Sequence, residues 1–515
     1  MTSRMLFSTG GFAAGVFFAL NAVPANAAQS CESLTSLKLP STTITLAQPV
    51  AAGAFTAPAA GRGRGGDPNA AFKNLPAFCR VAATIKPSSD SDIRMEIWLP
   101  AEASWNGKLE ANGNGGYTGS IAPNTLAGGV ERGFAAAMTD TGHEGGSASF
   151  ATGHPEKLID FGYRAVHEMT VQSKSIIDAY YGAAPKLSYW NGCSAGGRQA
   201  LKEAQKYPAD FDGIVAGSPG VNWTGRSTQA VWIAQANHKD EASTIPPAKF
   251  AAIHKAALDK CDAVDGVKDG IIDDPTRCKF DPATIQCKGE DSNECLTAPQ
   301  VETARKIYSP VINPRTKKEL FPGHEPGSEL GWNTMAGPQP MGLGLDLFRY
   351  IVFNNPNWDY KTFNFDSDWD AAAKADADVD ALDPNLKAFI ARGGKIVQYH
   401  GWADPQISPG SSVRYYTSVL EALGGAKNVT GSYRLFMVPG MAHCGGGEGT
   451  STFDMVSAVE QWVEAKKAPD QILASRTTRD GKIDRTRPLC PYPQVAKYKG
   501  SGSIDDAANF SCKAP

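Results

Sequence analysis

The chain has 515 residues, 42% of them hydrophobic, and its charges nearly cancel, 53 acidic groups against 50 basic ones. That length exceeds one minimal domain and the apolar fraction supports a sizeable core, while the near-neutral balance argues against nucleic acid or an anionic membrane as the main partner.

The N-terminus reads as an export signal. Arg4 supplies a positive charge, an apolar stretch runs from about Gly10 to Val23, and Ala25-Asn26-Ala27 gives the small-x-small pattern of a cleavage site, so residues 1–27 are expected to be removed. No other segment has 18 uninterrupted apolar residues, so no spanning helix is expected in the mature chain, which should be secreted or periplasmic. Residues 28–75 are low in charge, and AAGRGRGGDPNA (59–70) has the composition of a flexible loop. From Pro76 the pattern tightens. FCRVAATI and IRMEIWLP alternate as strands do, and GKLEANGNGG and GFAAAMTDTG each read as a strand running into a turn. YRAVHEMTVQSKSIIDAYYG carries apolar residues at helical spacing; KLSYWNG is a strand, SAGGRQALKEAQKYP a helix and FDGIVAGSPG a further strand. Strands alternating with helices predict an α/β fold with a mostly parallel sheet covered on both faces.

After about Val221 regular periodicity weakens, and acidic turns and Gly/Pro/Asn-rich stretches take over. Residues 222–390 are therefore expected to form an inserted lid with little core of its own, between a first core segment, 28–221, and a second, 391–515. LKAFIARGGKIVQYHGWADPQISP restores helix, glycine stop, strand and loop; SSVRYYTSVLEALGG is a helix, SYRLFMVPGMAHC a strand and loop, and FDMVSAVEQWVEA the last clear helix.

The ten cysteines all lie beyond the expected cleavage point. An even number in an exported chain favours disulfides over metal thiolates. Order along the chain points to local pairs, Cys31–Cys79, Cys261–Cys278, Cys287–Cys295 and Cys490–Cys512, which leaves Cys193 and Cys444 for each other; sequence alone does not fix connectivity.

The neighbours of that last pair carry chemistry. Gly192-Cys193-Ser194-Ala195-Gly196 fits Gly-x-Ser-x-Gly, the sharp strand-to-helix turn of a serine nucleophile. A serine hydroxyl needs a base and the base an orienting carboxylate. In α/β-hydrolases these follow in the order Ser, Asp or Glu, His, and Asp404 and His443 each stand just past an apolar strand in that order. His143, His154, His167 and His400 compete for the role of base. Cys444 follows His443 as Cys193 precedes Ser194, so a bridge between them would hold base and nucleophile in register. For the oxyanion hole, the Ala195 amide is one donor and NGNGGYTG (112–119) the source of the second, Gly116 first and Gly115 next. Asp262, Asp265 and Asp269 cluster in CDAVDGVKDGIIDDP (261–275); such carboxylates suit Ca²⁺ or a solvated acidic turn, and the spacing is not that of an EF-hand.

GCSAGGRQAL, GWADPQISP, PGMAHCGGG, WNGKLEANGNGGYTG, TDTGH and CDAVDGVKDGIIDDP together resemble the tannase and feruloyl esterase family of secreted α/β-hydrolases, known for a Cys-Ser…Asp…His-Cys arrangement. The resemblance implies an α/β-hydrolase fold with a large inserted lid, a triad of Ser194, Asp404 and His443, and a Cys193–Cys444 disulfide within the five-bridge pattern of bacterial members. It also implies a structural calcium in the lid, held by Asp262, Asp265, the Val267 carbonyl, Asp269 and the Ile271 carbonyl. Family substrates are small esters of aromatic acids: ferulate and other hydroxycinnamates, gallate, and terephthalate monoesters. Feruloyl esterase activity is the first expectation, with tannase or mono(2-hydroxyethyl) terephthalate hydrolase as alternatives and a non-catalytic binding protein as the distant one. In GLDLFRYIVF (344–353), Phe348, Tyr350 and Phe353 could stack on a substrate ring with Arg349 as a carboxylate partner, though a lid core element reads as well.

Overall fold

The computed structural model describes residues 1–2, 29–57, 67 and 69–515. The expected leader and its cleavage site, and most of the 59–70 loop, lie outside the described residues. Among those described, no helix is long and apolar enough to cross a membrane.

Among the described residues, nine strands form one sheet: β1 (Thr42–Val50), β2 (Phe78–Ile85), β3 (Ile93–Pro100), β4 (Lys108–Asn112), β5 (Ala135–Thr139), β6 (Leu187–Cys193), β7 (Gly213–Gly217), β8 (Lys395–Gly401) and β9 (Tyr433–Val438). Their order is β1-β2-β3-β5-β4-β6-β7-β8-β9. The pairs from β1 to β5 along that order are antiparallel, and every pair from β5 to β9 is parallel. Of the parallel strands, β5, β7 and β9 read as nearly continuous apolar runs because both faces are covered. Successive side chains point to opposite faces. Thus Trp190, Ile214, Ile396 and Leu435 enter one core with α2 (Ala165–Tyr181), α3 (Ala195–Lys206) and α7 (Gly410–Ala422). Tyr189, Val215, Val397 and Phe436 enter the other with α8 (Met455–Ala465). α1 (Pro123–Glu131) packs near the antiparallel edge.

β1 was not legible in the sequence. TTITLAQPV is an edge strand whose outer side is exposed, so it shows no clean apolar face, and Pro49 is tolerated because an edge can forgo a ladder donor.

Residues 222–390 contribute no strand to this sheet. Their main helices are α4 (Trp223–Asn237), α5 (Phe250–Cys261) and α6 (Ala298–Tyr308). Contrary to the expectation of little core, Ile233, Ile253, Leu296, Val301, Ile307, Trp332 and Met335 pack into an apolar cluster of the segment's own. Short helices joined by Gly- and Pro-rich loops scatter these residues along the chain, which hides their periodicity. At the start of α6 the Gln300 side chain turns back to accept from the Thr297 amide at 3.0 Å, one half of a capping box.

The structure contains the disulfides Cys31–Cys79, Cys193–Cys444, Cys261–Cys278, Cys287–Cys295 and Cys490–Cys512, and no cysteine is free. After α8 come two antiparallel pairs, Ile472–Thr477 with Ile483–Leu489 and Val495–Tyr498 with Phe510–Lys513.

Candidate active site

Loops at the C-terminal ends of β4, β6, β8 and β9 meet at one rim of the sheet, where open parallel sheets place their sites. The loop after β6 is a tight elbow. Ser194 sits at φ 64°, ψ −119° between the end of β6 and the start of α3. A non-glycine residue held there stores about 1–3 kcal/mol of strain. The flanking glycines make the turn possible: a Cβ on Gly192 would come 2.6 Å from the Gly196 backbone, and one on Gly113 would come 2.4 Å from the Gly196 Cα. The Ser194 amide donates to the Gly217 carbonyl at 2.9 Å and its carbonyl accepts from Gly220, which fixes the elbow against the end of β7.

The Cys193–Cys444 disulfide brings two Cα atoms 251 positions apart in sequence to 5.9 Å. Ser194 and His443, each next to one of those cysteines, are therefore drawn to the same corner. His443 donates from Nδ1 to Asp404 Oδ2 at 2.7 Å, leaving Nε2 for another partner. Asp404 is fully buried. Its Oδ1 accepts the Gln406 and Ile407 amides at 2.8 and 3.0 Å, and its Oδ2 also accepts from His400 Nε2 at 3.0 Å. Burial pushes this carboxyl up, but the charge of His443 and the hydrogen bonds of His400 and His443 outweigh it, so it stays well below the usual carboxylate range and ionised.

His400 is thus a second support for Asp404. Its Nε2 faces two acceptors, Asp404 and the Ile407 carbonyl at 3.1 Å, which places the proton there, and Nδ1 lies 2.7 Å from Ser412 Oγ. The other competing histidines lie elsewhere. His154 contacts Asp90 and His167 contacts Asp210. His143 is buried against Phe150, and its Nε2 donates to the Tyr117 carbonyl at 2.8 Å.

That last contact belongs to the second loop. Asn114, Gly115, Gly116 and Tyr117 follow β4. The Asn114 amide donates to Gln199 Oε1, and its side chain donates to the Thr139 and Ser120 carbonyls. The Asn114 carbonyl accepts from Gly196 at 2.7 Å, locking this loop to the elbow. The Ala195 and Gly116 amides have no acceptor among the described residues. Gly116 needs its glycine: φ is +54°, and a Cβ would lie 2.6 Å from Leu343 Cδ1. Asn114, His143 and Gln199 hold this loop; the sequence marks His143 as a competing base and within TDTGH, and assigns none of the three this task.

Behind Ala195 the packing is aromatic and buried. Tyr117, Phe161 and Trp223 cluster with Ala195, and Leu343 packs on them from residues 222–390. Trp223 Nε1 donates to Tyr117 Oη at 2.7 Å. In the 344–353 stretch, Phe348 is buried in a lid cluster with Phe363, so it serves packing. Tyr350 is half-buried and packs on the cluster that contains Ala195. Arg349 approaches Asp346 at 4.0 Å. His324, buried next to Asp404 with neither ring nitrogen hydrogen-bonded among the described residues, is pushed down to about 4 by burial and stays neutral.

The acidic loop after α5 is held by its own backbone. Asp262 accepts from the Asp269 and Gly270 amides at 3.1 and 3.0 Å, Asp265 accepts from Val267, and Asp269 accepts from Ile271. Asp269 also pairs with Arg487 and, at 3.3 Å, with Arg485 from the C-terminal strands. The carboxylates of Asp262, Asp265 and Asp269 do not all converge within 4.8 Å of one another. Asp273, absent from the sequence-derived set, is half-buried beside them and pushed up to about 7 by desolvation and then by the Asp265 charge.

A family model described as tannase and feruloyl esterase matches residues 79–513. An uncharacterised esterase of Xanthomonas campestris pv. campestris is 39% identical over 538 aligned residues, covering 95% of this chain and 92% of that one. A probable feruloyl esterase B-2 of Neosartorya fischeri is 35% identical, covering 84% and 86% of the two chains. Among solved structures, feruloyl esterase B from Aspergillus oryzae superposes with a TM-score of 0.86 at 31% identity, over 94% of this chain and 99% of that one. A tannin acyl hydrolase from Aspergillus niger, at 22% identity and TM-score 0.78 over 94% and 95% of the two chains, supports the fold alone.

Proposed function

Given that the chain belongs to the tannase and feruloyl esterase family and is a carboxylic ester hydrolase of α/β-hydrolase fold, we propose that Ser194, His443 and Asp404 carry its chemistry on feruloyl-type esters of aromatic acids. Ser194 Oγ attacks the ester carbonyl and His443 Nε2 takes its proton. Asp404 holds the Nδ1–H and stabilises the imidazolium that forms. The Ala195 and Gly116 amides receive the oxyanion; each such donor is worth about 2.7–4 kcal/mol in the transition state. The alcohol leaves with the proton from His443, and water activated by the same nitrogen releases the acid from Ser194.

The observation that carries this reading is the disulfide that flanks both nucleophile and base, together with the 2.7 Å contact from His443 to Asp404. Similarity to proteins named feruloyl esterase supports an aromatic acyl group. A panel of methyl ferulate, methyl gallate and mono(2-hydroxyethyl) terephthalate tests it. The highest kcat/KM is expected for the ferulate; a clear preference for the gallate or the terephthalate would move the assignment within the family.

We also propose that the acidic loop holds a structural Ca²⁺, through the carboxylates of Asp262, Asp265 and Asp269 and the Val267 and Ile271 carbonyls. Asp273 is a further candidate. Support comes from the donor chemistry, oxygens suited to a hard cation, and from half-buried carboxyls pushed up by partial burial and by neighbouring carboxylates at Asp265, Asp269 and Asp273, at Asp269 against the opposing charges of Arg485 and Arg487. Such a cation would brace the loop between α5 and the C-terminal strands and takes no part in ester cleavage. Added Ca²⁺ should raise the melting temperature of chelator-treated protein, and an unchanged melting temperature would count against it. The five disulfides point to folding in an oxidising compartment, which supports export.

A further inference from the structure

Arg226 lies on α4 one turn past Trp223 and is 3% exposed. A guanidinium offers five N–H donors and no acceptor. Burial lowers this one only to about 10, so it is charged at neutral pH. Its donors are poorly used. Nε reaches the Gln406 carbonyl at 3.4 Å, Nη2 reaches the Met341 sulfur at 3.1 Å, and Nη1 is buried with no acceptor among the described residues. Arg198, equally buried, makes the contrast: its terminal nitrogens donate to the Gly162, Val379 and Phe161 carbonyls at 2.8, 2.9 and 3.1 Å. A buried charge left without good partners costs several kcal/mol, so a cation kept in this state calls for a role outside folding.

Its surroundings supply one. Cζ lies 6.0 Å from the Trp223 ring. Gln406, whose carbonyl Nε approaches, is two residues past Asp404. On the remaining side runs the lid segment 341–344, where a Cβ on Gly344 would be 3.9 Å from Nη1. The same segment roofs the oxyanion loop, since Leu343 meets Gly116. The guanidinium therefore borders the acid loop, the lid segment that roofs the oxyanion loop, and Trp223, elements that meet around the corner where Ser194 and His443 stand.

We propose that Arg226 is a specificity-determining residue whose Nη1 donates to a phenolic or methoxy oxygen on the ring of the acid, so that the enzyme selects oxygenated aromatic acids over the unsubstituted ring. The proposal rests on the hydrolase reading above. A free N–H donor with no acceptor of its own recognises an oxygen and gives nothing to a plain ring edge, and desolvation makes such a bond to a charged donor strong.

The test compares kcat/KM for methyl ferulate and methyl cinnamate in the wild type, R226M and R226Q. In both variants the ferulate-to-cinnamate ratio should fall by about ten- to a hundredfold, with cinnamate turnover nearly unchanged. Removing a poorly partnered buried charge should leave the melting temperature equal or higher. If Arg226 only braced the acid loop through Gln406, both esters would slow by one factor and the ratio would stay at its wild-type value; that result overturns the proposal. The second variant secures the reading should the first fail to fold. Wild-type turnover of either ester with an unchanged ratio in the variants sinks the arginine's role alone, whereas wild-type inactivity on both would sink the hydrolase reading with it.

Discussion

At the residue scale the account turns on Asp404. Four donors converge on its two oxygens: two backbone amides on Oδ1, and His443 and His400 on Oδ2. A carboxylate has lone pairs for all four. An asparagine has one acceptor oxygen and an amide that must face a donor, so Asp404→Asn would disturb the histidine tautomer while keeping the volume. The expected outcome is a fall in kcat on the order of 10³–10⁴ with little change in KM, read by steady-state kinetics; a loss confined to KM would place Asp404 outside the proton-transfer chain. Sequence showed Ser194, Asp404 and His443 because each stands just past a strand and two are flagged by cysteines. It did not show His400 as a support for Asp404, or Asn114, His143 and Gln199 as supports of the oxyanion loop. The roles of Asn114, His143 and Gln199 exist only once β4, β5 and α3 lie side by side, which no spacing along the chain records, whereas His400 stands only four residues before Asp404 and its support depends on the turn after β8 folding back.

At the element scale, the elbow after β6 and the histidine loop after β9 sit across β7 and β8 from each other, and the Cys193–Cys444 bridge ties them directly. Closing so long a loop contributes about 2–5 kcal/mol in the chain-entropy model. Replacing both cysteines by alanine should lower the urea midpoint accordingly and also reduce kcat, because His443 loses its tether. A stability loss with kcat intact would show that packing alone positions the histidine. The alternating strands and amphipathic helices of the two-sided sheet were legible, since each segment repeats its own period. The edge strand β1 and the C-terminal strand pairs were not, because strands with an exposed side carry little apolar patterning. The core of residues 222–390 was missed for a related reason: its apolar positions are shared among several short helices, and no single segment displays them.

At the scale of the whole molecule, residues 222–390 are joined to the catalytic loops by a charged strap. His254 on α5 lies between the buried Glu329, at 2.8 Å from Nδ1, and Glu448 of the histidine loop, at 2.7 Å from Nε2. Tyr308 also donates to Glu329, at 2.7 Å. Burial lowers the His254 pKa, but the two carboxylates more than reverse this and raise it to about 9. Because the folded value lies above the unfolded one, near 6.5, the strap's contribution is complete below about pH 6.5 and is lost as pH rises through about 9. Its size is on the order of 2 kcal/mol, allowing for the half-exposed Glu448. His254→Gln should therefore flatten the decline in stability between pH 6.5 and 9, measured by urea unfolding at each pH; a decline as steep as in the wild type would remove the strap from the account.

The central claim is that a hydroxyl on a strained elbow is activated by an imidazole brought to it from 249 positions away in sequence. Its most direct measurement is the site of covalent modification by a fluorophosphonate, located by mass spectrometry of the labelled peptide. The account predicts one adduct on Ser194, absent in Ser194→Ala and strongly slowed in His443→Ala. Ester hydrolysis that persists in Ser194→Ala, or an adduct on another residue, would contradict it.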